Sequence, residues 1–167
     1  MFGTGENSRA RRPGQAGTAR GGVEVKRTAI SFSSDRSTLT PADLQPFFVG
    51  WPNPPEEAVR LQILRRADLV ILARVHGRLV GFVTCLTDGL LSAFIPLLEV
   101  LPEHQGRGIG SQLIQRLLDE LGPLYAVDAV CDPPTATLYE NLGFTRLCGM
   151  ARRELSLQRG RTPASER

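Results

Sequence analysis

Lysine is nearly missing from this chain of 167 residues: Lys26 is the only one, and arginine supplies the rest of the 20 basic side chains. Cysteine is scarce as well. Cys85, Cys131 and Cys148 form no close pair, and so odd and sparse a set argues against both a disulfide framework and a structural zinc site. That usage suits a reducing cytosol, so a cytoplasmic location and no metal are the expectation. Long apolar runs are absent too. The most apolar stretch, Leu90–Leu101, is interrupted by Ser92, Pro96 and Glu99, far short of the roughly 20 residues that cross a bilayer. No apolar block follows the basic N-terminal residues, so neither a membrane partner nor a secretory signal is expected.

Charge is unevenly spread. Residues 1–22 hold Arg9, Arg11, Arg12 and Arg20 against Glu6, a net of +3, and residues 156–167 hold Arg159, Arg161 and Arg167 against Glu166, a net of +2. The whole chain is only +3, which leaves −2 on residues 23–155. A nucleic-acid-binding domain carries its basic patch on the folded body, where it can follow phosphates. A mildly acidic body speaks against that partner. Residues 1–22, rich in Gly, Arg, Ser and Pro, offer almost nothing to bury and are expected to be a disordered basic tail. Residues 156–167 read as a flexible tail. Residues 23–155 have the size of one domain and show no internal repeat.

Within that body Val23, Val25, Ile30 and Phe32 mark a first strand. Thr40 before Pro41 is an N-cap with proline at the first helical position, opening a short helix through Phe48. Three prolines stiffen the turn around Trp51, from Gly50 to Pro55. A helix follows over 56–66, with Ala58, Leu61 and Leu64 on one side. Leu69–Val75 and Leu79–Cys85 read as a hairpin around His76-Gly77-Arg78. Ala93–Val100 is a third strand of this group, in which Pro96 demands a bulge or an unpaired position. Ile109, Leu113, Leu117 and Leu121 repeat every four residues along a helix over 108–121. A buried strand over 126–131, a short helix over 135–141 and one or two strands over 144–155 complete an α+β sheet domain.

Chemistry concentrates in Val100-Leu101-Pro102-Glu103-His104-Gln105-Gly106-Arg107-Gly108-Ile109-Gly110-Ser111. A strand ends, a glycine-rich turn follows and an amphipathic helix begins. Glycines let backbone N–H groups converge, and a helix N-terminus adds about half a positive charge, which together suit an anion such as phosphate. The nucleotide-triphosphate loop needs Lys then Ser or Thr after its last glycine, and Lys26 is far away. The dinucleotide pattern needs G-x-G-x-x-G, whereas here the glycines stand at every second position. A glycine-rich helix start without a ligand is the bland alternative.

Gln105-Gly106-Arg107-Gly108-Ile109-Gly110 resembles the acyl-CoA motif of the GNAT family of N-acetyltransferases. Some thirty residues on, Leu138-Tyr139-Glu140-Asn141-Leu142-Gly143-Phe144 resembles that family's tyrosine-bearing helix and its closing Gly-Phe. The likeness covers about residues 25–155, and within the family Thr87-Asp88 through Ser92-Ala93 to Val100 looks most like the small arylalkylamine-type members of bacteria and plastids. The resemblance implies a mixed, mostly antiparallel sheet splayed between its fourth and fifth strands, flanked by about four helices, with acetyl-CoA in the gap. It implies Leu98, Glu99 and Val100 as backbone contacts to the cofactor, and Gln105, Gly106, Arg107, Gly108, Ile109, Gly110 and Ser111 as the pyrophosphate cradle. Asp132 stands where many relatives place an asparagine against the pantetheine arm.

For transfer to an amine, the resemblance makes Tyr139 the acid that protonates the departing sulfur; a phenol of pKa near 10 stays protonated at neutral pH. The base is open between Glu99, Asp88 and a water relay. Asp88 could also pair with an ammonium substrate, or simply form the turn Asp88-Gly89. Val127 occupies the place of a glutamate that some protein-acetylating relatives use. Trp51 either lines the acceptor pocket or plugs the space between the first two helices. Cys131 and His104 read as packing residues. The expected activity is acetyl transfer from acetyl-CoA to a small-molecule amine. Acetylation of a protein N-terminus or lysine and a non-catalytic CoA-binding module are the alternatives. Strands exposed near the C-terminus leave room for a homodimer.

Overall fold

A computed structural model describes residues 29–161. Its five strands are β1 (Ile30–Ser33), β2 (Leu69–Val75), β3 (Arg78–Thr87), β4 (Ser92–Val100) and β5 (Ala126–Ala129), and they lie in the sheet in that order. All neighbours are antiparallel except β4 and β5, which run parallel. Helices α1 (Pro41–Leu44) and α2 (Glu57–Arg66) cover one face, and α3 (Ile109–Leu121) and α4 (Pro133–Glu140) lie on the other side. This is the expected α+β architecture. The expected tail over 1–22 and the strand residues Val23 and Val25 lie outside the described residues.

Local chemistry explains most element boundaries. Thr40 Oγ1 accepts from the Asp43 N–H while Asp43 Oδ2 accepts from the Thr40 N–H at 2.9 Å, a reciprocal capping box with Pro41 at the first helical position. Thr40→Ala removes half of that box and is expected to cost about 1 kcal/mol, read as a lower urea midpoint with an unchanged m-value. β2 and β3 are joined by His76 and Gly77 alone, with φ of 50° and 80°. Two left-handed residues give the turn a twist that matches the flanking strands. The apolar face of α3 (Ile109, Leu113, Ile114 and Leu117) is buried against β2 and β3.

Pro96 sets the geometry of β4. Thr84 pairs with Leu97 but Leu86 pairs with Phe94, so Ile95 and Pro96 together oppose Cys85 in a bulge. The extra residue reverses the alternation of faces. Ala93 and Ile95 point to the α3 side, whereas beyond the bulge Leu98 and Val100 do so and Leu97 turns to the α1–α2 side. Pairing with β5 also stops at Ile95, opposite Ala129. From Pro96 to Val100, β4 has a partner on its β3 side only, and the gap between β4 and β5 opens there.

Several expectations need correction, beginning with the helix opened by Thr40, which ends at Leu44 instead of running through Phe48. No strand forms over residues 144–155: Phe144 closes the turn after α4, and Thr145–Glu154 is exposed and unpaired, with Arg146 drawn to Glu140. The strand expected over 126–131 ends at Ala129 and is half-exposed, because among the described residues no strand pairs with its outer edge, and Cys131 is exposed. In α2 the buried side is Arg60, Leu61 and Leu64, while Ala58 faces solvent. Residues 156–161 turn back toward α2, where Gln158 Oε1 accepts from the Asn53 N–H at 3.1 Å.

Candidate functional site

The start of α3 is built by three glycines with different tasks. Gly106 and Gly108 have φ of 70° and 73°, left-handed backbone that other residues seldom adopt. A Cβ at Gly106 would meet nothing within 4 Å, and one at Gly108 would graze only Gln112 at 4.0 Å. Both face open space, so the chain leaves room where a ligand could approach the backbone. Gly110 is different. A Cβ there would stand 3.1 Å from Leu138 Cδ1 and close to Leu98 and Val100, so this glycine lets α3 lie against β4 and α4.

Gly108 is the N-cap, and the first α3 bond runs from the Gln112 N–H to its carbonyl at 3.1 Å. The N–H groups of Ile109, Gly110 and Ser111 therefore have no acceptor within the helix and point out of its positive end. Arg107 is exposed beside them, and Gln105 Nε2 donates to the Val100 carbonyl at 2.8 Å, tying the turn to the end of β4. Backbone donors, a cation and two open glycine positions fit a diphosphate. Leu98, Glu99 and Val100 lie on the freed part of β4 beside this cradle. Asp132 is the N-cap position of α4, exposed and without a capping hydrogen bond from its side chain.

Tyr139 follows Leu138 on α4 and is 7% exposed. Its ring stands edge-on to Phe144, 5.3 Å between centroids. Burial, with a smaller contribution from the Cys131 thiol, pushes the phenol up to about 12. Tyr139 therefore carries its proton at neutral pH. It also forms part of the wall of an open cleft of about 1110 Å³ between β5 and the chain after Phe144. The cradle lies outside that cleft, on the other side of Leu138.

The two carboxylates proposed from sequence are both engaged. Asp88 Oδ1 accepts from the N–H groups of Leu90 and Leu91, each at 2.8 Å, and of Ser92 at 3.1 Å. These bonds, Leu91 foremost, hold its carboxyl down at about 2. It stays ionised and shapes its own turn. Glu99 points to the α1–α2 side, where Oε2 accepts from the Phe48 N–H at 2.9 Å and Oε1 from the Val49 N–H at 3.0 Å.

Phe48 is the residue that pattern reading misses. Its φ of 65° is a left-handed conformation unusual for a bulky side chain, yet it is buried against Phe82. Arg60 from α2 completes the arrangement. It is buried, donates to the carbonyls of Leu44, Gln45, Phe47 and Pro55 at 2.7–3.0 Å, and lies 5.3 Å over the Phe48 ring. The available signal was an arginine four residues before Leu64, on the buried stripe of α2. Trp51, 37% exposed, stacks edge-on against Phe48 at 5.1 Å and so stands at the mouth of this turn. His104 is half-buried in the 3-10 turn Pro102–His104. Among the described residues, no three His, Cys, Asp or Glu side chains are grouped to hold a metal ion.

Residues 37–144 match the family model described as the acetyltransferase (GNAT) family. The chain is similar to the crystal structure of a candidate acetyltransferase from Deinococcus radiodurans R1, with 46% identity, a TM-score of 0.77, and coverage of 81% of this chain and 94% of that one. It is also similar to a GNAT-family acetyltransferase from Streptococcus pneumoniae TIGR4, with 25% identity, a TM-score of 0.64, and coverage of 75% and 98%. Among curated proteins it is 25% identical over 103 residues to the uncharacterized N-acetyltransferase ycf52 of Pyropia yezoensis. That alignment spans 59% of each chain.

Proposed function

The chain belongs to the acetyltransferase (GNAT) family, and from that premise we propose that it transfers an acetyl group from acetyl-CoA to the primary amine of a small molecule. The observation that carries this reading is the cluster of unpaired α3 amides behind two open glycines, set beside the freed segment of β4 and against Leu138, which Tyr139 follows on α4. The Ile109, Gly110 and Ser111 N–H groups and Arg107 would hold the diphosphate. The backbone of β4 beyond Pro96, lacking a strand on its β5 side, can pair with the amides of the pantetheine arm as an added strand would.

When bound, acetyl-CoA supplies an acyl group activated as a thioester. The amine must lose its ammonium proton, and water is the best carrier for it, because the Asp88 and Glu99 carboxylates are committed to backbone N–H groups. A backbone N–H near Leu98 would stabilise negative charge on the acyl oxygen as the new C–N bond forms. Tyr139 keeps its proton for the sulfur released as the C–S bond breaks. Trp51, backed by the buried Phe48 ring, would give the acceptor side an aromatic wall, which favours amines with an apolar body and accords with the arylalkylamine-type likeness.

A thiol-release assay with acetyl-CoA tests the proposal against polyamines, arylalkylamines, aminoglycosides, amino acids and short peptides. Thiol release that requires a small amine supports it. Release only with peptides moves the acceptor to protein, and tight coenzyme A binding with no turnover across the panel makes the domain a binding module.

A further inference from the structure

The turn that carries Trp51 is gripped from two directions, and the two grips have opposite polarity. Arg60 takes its carbonyls from the α2 side, and Glu99 takes two successive N–H groups from the β4 side. Neither side chain has an ion-pair partner among the described residues. A charged group used in this way fixes backbone geometry instead of compensating another charge. Glu99 also holds Phe48 in a left-handed conformation it would otherwise avoid, and Phe48 is the surface against which Trp51 stacks. The position of Glu99 follows from the Pro96 bulge, which turns this residue to the α1–α2 face while its backbone remains in the freed part of β4.

We propose that Glu99 is a positioning residue: its two oxygens lock the Phe48–Trp51 turn to β4, so that the strand proposed to hold the thioester and the aromatic wall proposed to receive the amine keep one fixed spacing. The acceptor part of this statement rests on the reading under "Proposed function". The locking part does not.

Trp51 is the single tryptophan of the chain, so its fluorescence reports this turn alone. Glu99→Gln keeps the size of the side chain but leaves one acceptor oxygen and sets an amide N–H₂ against an N–H donor. Its Trp51 emission is expected to shift to the red with greater quenching by acrylamide. The KM for the amine should rise about 5–10-fold, with kcat within about threefold and the KM for acetyl-CoA unchanged, since uniform binding of the acceptor is what the turn provides. In a Trp51→Ala background, Glu99→Gln should add little to the amine KM. A fall in kcat of about 100-fold at constant KM overturns the proposal, because Glu99 then acts as the base. Unchanged fluorescence with unchanged KM overturns it equally.

Amide hydrogen exchange on the unaltered protein gives a second measurement that needs no variant. The Val49 amide should exchange slowly although the residue is 56% exposed. Exchange at the rate of a free loop amide refutes the lock. If no amine is turned over by the unaltered protein, the acceptor reading fails, while exchange and fluorescence still decide whether Glu99 holds the turn.

Discussion

Gly108→Asp should abolish coenzyme A binding, with a loss of at least about 100-fold in affinity by calorimetry. Gly108 caps α3 with φ of 73°, and its Cβ position opens into the space before the helix. A carboxylate there sits among the amides that would face a diphosphate. Two unit charges about 4 Å apart in a medium of effective dielectric near 20 repel by about 4 kcal/mol, close to a thousandfold. Half of that, after screening, is still about 30-fold, and the left-handed backbone penalty of about 1 kcal/mol carries the combined loss past about 100-fold. Gly108→Ala separates charge from conformation. It carries the left-handed backbone penalty, about 1 kcal/mol, without the repulsion, so it should weaken binding less than 10-fold. Normal affinity in the aspartate variant means that the diphosphate lies elsewhere.

Tyr139→Phe should lower turnover by about 10-fold or more while acetyl-CoA affinity stays nearly constant, general acids contributing about 10²–10⁴. The ring and its edge-on contact with Phe144 survive the substitution, so a folding defect is not expected. Burial raises the phenol to about 12, which favours the neutral, proton-bearing form. Activity of the unaltered protein should therefore rise with pH as the amine deprotonates. It should show no alkaline loss from Tyr139 until about pH 11. Turnover equal to that of the unaltered protein removes Tyr139 from the chemistry and leaves it a packing residue.

Features within a few residues of one another were legible in the chain. The Thr40 cap before Pro41, the His76-Gly77 turn and the α3 stripe each depend on local sterics and short-range hydrogen bonds, and each formed where its residues stand. The helix after Asp132 began two residues earlier than its pattern indicates, because Pro133 and Pro134 occupy first-turn positions whose N–H groups are not needed. The stretch after Phe144 carries Leu147 and Met150, yet it forms no strand. Pairing needs an edge in reach, and residues 145–154 lie away from β5.

The spacing of Gly106, Gly108 and Gly110 and the order of the two motifs were enough, by themselves, to place a glycine-rich helix start and to point to the family. Only the tertiary structure assigned the side chains around it. A single extra residue at Pro96 inverts which face of β4 each later residue occupies, sending Glu99 away from the α3 side and onto the Phe48 turn. The docking of α2 against the α1 segment likewise puts Arg60 beneath four carbonyls of a loop 5–16 residues away. Backbone conformation answers to neighbours in sequence, whereas the partner of a buried charge is chosen by the packing of distant elements.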